Sequence, residues 1–399
     1  MMELRVLDIR DMEEAARELR ALGVHSGGIE IMAPKSVLRV IKVCGISSDA
    51  LNIIKQEMLS AGGDCAVAWD AFVKRRKDTE GLIIGTAAQI GRLCVKLQKQ
   101  PFGLASLGGM ITALEADYAR RDFVLRAGKY KLNLGKRAHI MGVLNVTPDS
   151  FSDGGMYFDR EYAVARAFKM ESQGADIIDI GGESTRPGAR AIHAKEECRR
   201  VIPVIKELAK RIKAPISVDT TKSEVARMAL DAGASMINDI TGLNKDRKIA
   251  KFVKEHKAAV VLMHMKGTPM SMQKDPVYDD LIGEICRSLR KSISAAKAAG
   301  IKDDSIVVDP GIGFGKTAAH NLNILKNLRE FKSLGYPVMS GPSRKSFIGK
   351  ITGAQEDERQ FGTAASIALS IQNGADIVRV HDVKQMKQVA QITEAIING

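Results

Sequence analysis

The stretch Ile140-Met141-Gly142-Val143-Leu144-Asn145-Val146-Thr147-Pro148-Asp149-Ser150-Phe151-Ser152-Asp153-Gly154-Gly155 decides how the chain is read. Its first half is a nearly continuous apolar run, the pattern of a short strand buried on both faces. The run stops on the carboxamide of Asn145 and opens through Thr147-Pro148-Asp149 into a Ser/Gly loop. A buried strand that ends this way delivers polar groups to a site. An ordinary strand–turn accounts for one such event, but the event recurs down the chain.

Working outward, candidate strands are His139–Val146, Asp176–Ile180, Ile216–Asp219, Met236–Ile240, Val260–Met265, Ile306–Asp309, Val338–Gly341 and Ile377–Val380. Helical patterns follow each one, near 160–173, 195–212, 223–232, 246–257, 279–299, 319–332, 359–372 and 384–396. Several helices exit through a Gly before the next strand, as in Gly174-Ala175-Asp176, Gly233-Ala234-Ser235 and Gly374-Ala375-Asp376, which is the left-handed C-cap expected there. Eight strand–helix pairs predict a (β/α)8 TIM barrel, a fold of about 250 residues. A doubly wound open sheet is the alternative, but no strand is followed by the Gly-x-Gly-x-x-Gly turn of a dinucleotide site. Ahead of the barrel, Phe123–Arg126 and Lys131–Leu134 read as a hairpin that should cover its closed end.

Residues 1–121 read as a separate, smaller α+β domain and residues 122–399 as the barrel. In the first, Leu4–Ile9 is a candidate strand, Asp11 caps a helix through Leu22, and Ser47 or Ser48 caps a helix ending at Gly62-Gly63. Cys65–Trp69 and Leu82–Ile84 read as strands, and Ala87–Lys99 and Leu104–Arg120 as helices. The run Lys74-Arg75-Arg76-Lys77 reads as a solvated turn. No spacing in this domain marks a metal or nucleotide site, and its role is not legible.

Composition bounds the rest. Hydrophobic residues make up 45% of 399, and no apolar run nears the ~18 residues needed to cross a bilayer, so no membrane association is expected. Met1–Arg20 is dense in charge of both signs and is not a targeting leader. Five cysteines, scattered singly, suit a reducing cytoplasm rather than a disulfide framework or structural zinc. The net charge of +13 sits mainly with residues 122–399, which hold 43 Lys+Arg against 32 Asp+Glu. With one Trp and 5% aromatics there is no stacking platform for nucleic acid, and a small polyanionic substrate fits the excess instead.

A barrel carries its function at the C-terminal ends of its strands. Those ends read Asn145; Asp179 with Gly182-Glu183-Ser184-Thr185-Arg186-Pro187-Gly188; Asp219; Asn238 with Asp239; Met263 with His264; Asp309 with Pro310-Gly311-Ile312-Gly313-Phe314-Gly315-Lys316; Ser343-Arg344-Lys345-Ser346; and Arg379 with His381. Core strands avoid such groups unless each is paired. Asp219, Asn238 and Asp309 could accept paired hydrogen bonds from a flat heterocycle rich in N–H donors. Arg186, Lys345, Arg379 and His381 suit an attached anion, and the last strands of a barrel often bind phosphate.

The segments Asn145–Gly155 and Asp179–Gly188 resemble the two signatures of the dihydropteroate synthase family. Ser217-Val218-Asp219-Thr220, Ile237-Asn238-Asp239, Leu262-Met263-His264-Met265, Asp309-Pro310-Gly311, Ser343-Arg344-Lys345 and Arg379-Val380-His381-Asp382 match in family order, over about residues 122–399. The N-terminal domain lies outside the usual core of the family, although extended members exist.

The resemblance implies a cytoplasmic transferase of folate biosynthesis. It joins 6-hydroxymethyl-7,8-dihydropterin diphosphate to p-aminobenzoate and releases pyrophosphate. It places the pterin on Asp219, Asn238, Met263, Asp309, Lys345 and Arg379, and the arylamine among Phe151, Thr185, Arg186, Pro187, Phe314, Lys345 and Ser346. Pyrophosphate falls to Asn145, Thr185, Arg379 and His381, with Mg²⁺ on Asn145. Asp309, Lys345, Arg379 and Asp153 are the expected catalytic groups, Asp153 and Phe151 ordering over the site when pyrophosphate is present. The resemblance further implies sulfonamide sensitivity and a homodimer through the barrel's outer helices. His139, His193, His256 and His320 read as surface or satisfied core residues. The rivals are a pterin-dependent methyltransferase of the same barrel, a synthase using a modified arylamine, and a non-catalytic pterin-binding protein. The methyltransferase has no need of Ser184–Gly188 or Ser343-Arg344-Lys345, and the binding protein none of Asn145, Arg379 and His381.

Overall fold

The computed structural model describes residues 3–70, 77–146, 156–184, 188–189 and 191–398, with side chains left aside for 156–159. The chain divides into two compact units, Met1–Ala119 and Arg120–Gly399.

The first unit begins with α1 (Met12–Ala21), capped by Asp11, whose carboxylate accepts from the amides of Glu13 and Glu14. Then come α2 (Ser26–Met32), β1 (Leu38–Ile46), α3 (Ser48–Ala61), β2 (Asp64–Val67), β3 (Thr79–Thr86), α4 (Ala87–Leu97) and α5 (Leu104–Ala119). Ser47 caps α3, which ends on left-handed Gly62, and Thr86 opens α4 with a reciprocal capping box to Gln89. The strands form an antiparallel sheet in the order β1-β3-β2. Ile41, Val43, Ile54, Met58, Ile83, Leu93 and Leu97 fill the core between sheet and helices.

Two expectations for this unit change, and two elements are new. Leu4–Ile9 is not a strand: Leu4 and Val6 are 93% and 98% exposed, and no ladder pairs with it among the described residues. The alternating run Leu38–Ile46 is a strand that the sequence reading passed over, as it did α2. Leu82–Ile84 is the middle of the longer β3, paired to β1 from Leu38↔Thr86 onward. Residues 71–76, and with them most of the Lys74–Lys77 run, lie outside the described residues.

The second unit opens with a hairpin, β4 (Phe123–Ala127) and β5 (Tyr130–Leu134). Eight strands follow: β6 (His139–Asn145), β7 (Ile177–Gly181), β8 (Ile216–Asp219), β9 (Met236–Asp239), β10 (Ala259–Met263), β11 (Ile306–Asp309), β12 (Met339–Ser340) and β13 (Ile377–Val380). All are parallel, in the order β11-β10-β9-β8-β7-β6-β13-β12, and a bridge between Val308 and Val338 closes the ring. The helices are α6 (Met156–Ser172), α7 (Ala194–Leu208), α8 (Ser223–Asp231), α9 (Lys248–Glu255), α10 (Leu281–Ala298), α11 (Ala318–Lys326), α12 (Ser346–Thr352), α13 (Gln360–Gln372) and α14 (Val383–Asn398). The helix expected over 319–332 stops at Lys326, and a 3₁₀ segment, Leu328–Leu334, continues it. The TIM barrel read from the sequence is the fold of this unit.

The hairpin plugs the barrel. Phe123, Leu125, Ala127 and Leu134 share one core with Met141, Ile177, Met236, Ala259, Val307, Met339 and Ile377, residues at or near the strand beginnings. Polar groups at this end are consumed locally: Asp176 accepts from the amide of Ile140 (2.9 Å) and from Arg137, and Asp376 from the amide of Val338 (2.8 Å). Around the barrel, Ile180, Val201, Ile205, Val218, Val225, Val260, Leu289 and their neighbours form the sheet–helix layer, each contributing roughly 1.5–3 kcal/mol by full burial. Among the described residues the lower end of the barrel is filled, which leaves the strands' C-terminal ends for a site.

Candidate functional site

Register brings the polar strand ends together. Asn145 pairs with Gly181, Gly181 with Asp219, Asp219 with Asn238, and Met263 with Asp309, so they ring one end of the barrel. Asp179, Asp219, Asn238 and Asp309 are all at least nine-tenths buried as side chains.

One cation organises them. Arg379, on β13, donates from Nε to Asp179 Oδ2 (2.7 Å) and from its terminal nitrogen to Asp219 Oδ2 (2.9 Å). Asn238 donates its amide to the same Asp179 oxygen (3.1 Å). Asp309 Oδ1 accepts from the amide of Gly311 (2.6 Å). Each carboxylate therefore has one oxygen committed to the protein. The two free acceptor oxygens per carboxylate imagined from sequence become one.

Acceptors are left over at the strand ends: Asp179 Oδ1, Asp219 Oδ1 and Asn238 Oδ1 are buried with no donor among the described residues. An unsatisfied buried acceptor costs about 1–3 kcal/mol, so a cluster of them defines the donor pattern of what binds there. Burial pushes Asp219 up to about 7, against the pull of Arg379, and Asp309 up to about 6, against its bond from Gly311. It also pulls Lys345 down to about 8, with Arg379 adding to the shift.

The loop after β11 builds the next wall. Gly311 has φ +72°, and a Cβ there would lie 2.0 Å from the carbonyl oxygen of His264, so only glycine lets this loop lie against the end of β10. Phe314 packs with Met263, Ile240 and Met272 in an apolar patch beside the acceptors. The Lys345 ammonium lies 4.1 Å from the centre of the Phe314 ring, a cation–π contact. Lys345 precedes α12, whose first residue is Ser346. Arg344, at φ +57°, is held there by two bonds to Asp382 (3.0 and 2.5 Å) and one from its amide to Thr363. His381 follows β13, its Nδ1 3.0 Å from Ser343 Oγ. Asn145 sits half-buried at the end of β6.

Phe151, Asp153, Thr185, Arg186 and Pro187, all expected at the site, lie outside the described residues. The segment before Thr185 is anchored: Glu183 accepts from the amide of Ile192 (2.8 Å) and pairs with Lys222 (2.7 Å), which also reaches Glu197. Asp219, Asn238, Met263, Asp309, Phe314, Lys345 and Arg379 come together at this end of the barrel. The sequence reading gave no role to Asp179, the buried partner of Arg379, or to Lys316, only 2% exposed. The signal for Asp179 was its strand-end position between two apolar residues. For Lys316, a lysine closing a glycine loop, there was none. His264 is no proton carrier near neutrality, since burial pulls it down to about 3. A groove of about 920 Å³ between α6, α7 and α8, floored by Cys198, Ile202 and Met228, contains none of these residues.

A closed barrel with unsatisfied acceptors at its mouth and cations beside them suits a flat, N–H-rich ring held next to an anion. Residues 141–381 match the family described as pterin binding enzymes, and the chain belongs to that family. It is 48% identical over 273 residues to the dihydropteroate synthase of Synechocystis, covering 68% of this chain and 94% of that one. It is 40% identical over 395 residues to a probable bifunctional folylpolyglutamate synthase/dihydropteroate synthase of Halobacterium salinarum. That match takes in 98% of this chain, so it includes the N-terminal unit, but the chain spans about half (47%) of that relative's length. Among solved structures, Yersinia pestis dihydropteroate synthase, in a sulfonamide complex, superposes with a TM-score of 0.66 at 42% identity, over 69% of this chain and all of the other.

Proposed function

We propose that the chain joins 6-hydroxymethyl-7,8-dihydropterin diphosphate to p-aminobenzoate, giving 7,8-dihydropteroate and pyrophosphate, in folate biosynthesis. The observation that carries this reading is the set of donorless acceptors on Asp179, Asp219 and Asn238. A pterin's pyrimidine edge offers N–H groups in one plane, and Asp309 provides a further acceptor.

The reaction suits these groups. The bond between the pterin methylene and the diphosphate oxygen breaks, its electron pair leaving with pyrophosphate. The arylamine nitrogen forms the new bond and then sheds its proton. The buried carboxylates, Asp309 foremost, stabilise positive charge spread over the pterin. Lys345, Arg379 and His381 stabilise the leaving anion, and the start of α12 with Ser346 takes the arylamine carboxylate. Phe314 gives the arylamine ring an apolar face. Phe151, Thr185, Arg186 and Pro187 for the arylamine, and Asp153 for catalysis, are assigned by family resemblance alone. Positioning and electrostatics suffice, because a neutral arylamine needs no strong base.

Mg²⁺ fits this site through Asn145. Its carboxamide is a hard oxygen donor at a strand end, and magnesium is commonly held by one or two protein groups plus phosphate oxygens and water. When bound, the ion would neutralise charge on the leaving pyrophosphate. A homodimer through α13 and α14 is supported by apolar side chains left exposed there: Phe361 (86%), Leu369, Ile392 and Ile396 (75%). No helix among the described residues is long and apolar enough to cross a membrane.

Pyrophosphate release from hydroxymethyl-dihydropterin diphosphate, dependent on p-aminobenzoate, tests the reading. Release only with a substituted arylamine would change the second substrate, and methyl transfer from a reduced folate without release would replace the reading altogether.

A further inference from the structure

Lys316 is among the largest fully buried side chains of the described residues, and it lies close to Asp309. Its ammonium has three protons and three partners: His264 Nδ1 (3.0 Å), the carbonyl of His264 (3.3 Å) and the carbonyl of Phe314 (3.0 Å). These partners belong to two different strand exits, after β10 and after β11. The loop it closes is already pressed onto the first exit: Cβ atoms on Gly311 and Gly315 would meet the carbonyl oxygens of His264 and Lys266 at 2.0 and 2.3 Å. A cation is expensive to bury, and an apolar side chain would fill the space without that cost. The charge therefore needs a reason.

We infer that Lys316 is a positioning residue for both substrates: it fixes the Phe314 ring against Lys345, shaping the arylamine pocket, and its charge keeps Asp309 ionised for the pterin. The inference rests on the proposed synthase reading. The mechanical half follows from the bond to the Phe314 carbonyl, because that backbone carries the ring lying 4.1 Å from Lys345. The electrostatic half follows from the surroundings. Asp309 is faced by the Gly311 amide, Lys345, Lys316 and Arg379, and Lys316 by Asp309, Lys345 and the neutral His264. Tyr278, Lys266 and His320 pack on the far side of His264, Lys266 over the Tyr278 ring. His264, whose carbonyl Lys316 holds, donates its own amide to the Asp309 carbonyl (3.0 Å), which sets the cation beside that residue. Lys316 is one of three cations that oppose the burial of Asp309, and Asp309 in turn favours the charged form of Lys316.

The test begins with wild-type enzyme releasing pyrophosphate, which secures the reading on which the inference depends. Lys316→Met is then compared with it. The arylamine KM should rise about 10-fold or more, as expected for losing a charge-assisted hydrogen bond. The acid limb of 6-hydroxymethylpterin binding should move to higher pH, because Asp309 protonates more readily without the cation. Because the ligand carries no diphosphate, the limb reports the protein. A folded Lys316→Met enzyme with an unchanged arylamine KM and an unmoved limb would overturn the inference. If that variant does not fold, His264 decides. His264→Asn keeps an acceptor near Nδ1 and should leave the arylamine KM within about threefold, while His264→Leu removes it and should raise KM several-fold. Equal values for the two would overturn the inference as well.

Discussion

Arg379 Nε and Asp179 Oδ2 stand 2.7 Å apart across the mouth of the barrel, although 200 residues separate them in the chain. The same oxygen accepts from Asn238, so Asp179 orients both the cation and the carboxamide of the site. Burial alone would lower Arg379, but the two aspartates reverse this and hold it above the usual guanidinium range. The guanidinium is thus fixed in charge and direction before substrate arrives, and little reorganisation remains for the reaction.

Asp179→Asn should therefore damage catalysis twice over, by loosening Arg379 and Asn238 and by changing one acceptor offered to the pterin. The amide would turn N–H groups toward donors on Arg379 and Asn238. A loss of about 10- to 150-fold in kcat/KM for the pterin diphosphate is expected from one charge-assisted contact. Steady-state kinetics with unchanged circular dichroism checks it, and a wild-type value would remove Asp179 from the site.

Asp309 gives a prediction that separates function from stability. Its carboxyl is raised to about 6 in the folded protein, above the ~3.9 of an unfolded chain. A raised value means the contribution to stability is present below the unfolded value and is lost as pH rises through 6. Wild type should therefore lose stability relative to Asp309→Asn between about pH 4 and 6, by roughly 2–3 kcal/mol. The variant should melt higher at pH 7.5, with the gap closing at pH 4.5, while pyrophosphate release is largely abolished. Thermal melts at the two pH values settle the sign.

Sulfonamides should compete with p-aminobenzoate and not with the pterin. The structural ground is Phe314 beside Lys345 and the start of α12, which offer a ring face and an anion site adjacent to the buried acceptors. Double-reciprocal plots against each substrate check this, and an uncompetitive pattern towards the arylamine would contradict it.

A chain beginning near Arg121 keeps the hairpin and the whole barrel, and should fold and release pyrophosphate with a kcat similar to that of the full chain. The first unit has its own core around Ile54 and Ile83, and the residues brought together at the barrel mouth all come from the second. Loss of turnover in a monodisperse, helical truncation at saturating substrates would assign the first unit a part in catalysis.

Much of this was legible because a parallel barrel announces itself. Most strands are short apolar runs with a polar residue at or next to the end, so the sequence places Asp219, Asn238, Asp309 and Arg379 on one rim. What the pattern does not carry is pairing. Nothing local distinguishes Asp179, with one oxygen given to Arg379, from Asp309, with one oxygen given to a backbone amide. Burial of a lysine is equally invisible, since Lys316 follows a glycine loop as a surface lysine would. In the first unit Leu38–Ile46 alternates as a strand should, but its Arg, Lys, Cys and Gly dilute the apolar signal. Leu4–Ile9 carried a similar signal with no partner to pair with.

The plug at the lower end of the barrel has a consequence in time. Phe123 leaves the ribosome about 250 residues before Ile377, with which it shares a core, and at about 5–20 residues per second this interval lasts roughly 12–50 s. Throughout it the apolar face of the hairpin lacks the complete ring of strands that it plugs, while the first unit, already emerged, can bury its own core. Nascent chains halted short of Ile377 should leave the hairpin open to protease and the first unit resistant. The barrel is then finished from below by its earliest piece, and that piece depends longest on whatever shelters apolar surface during synthesis.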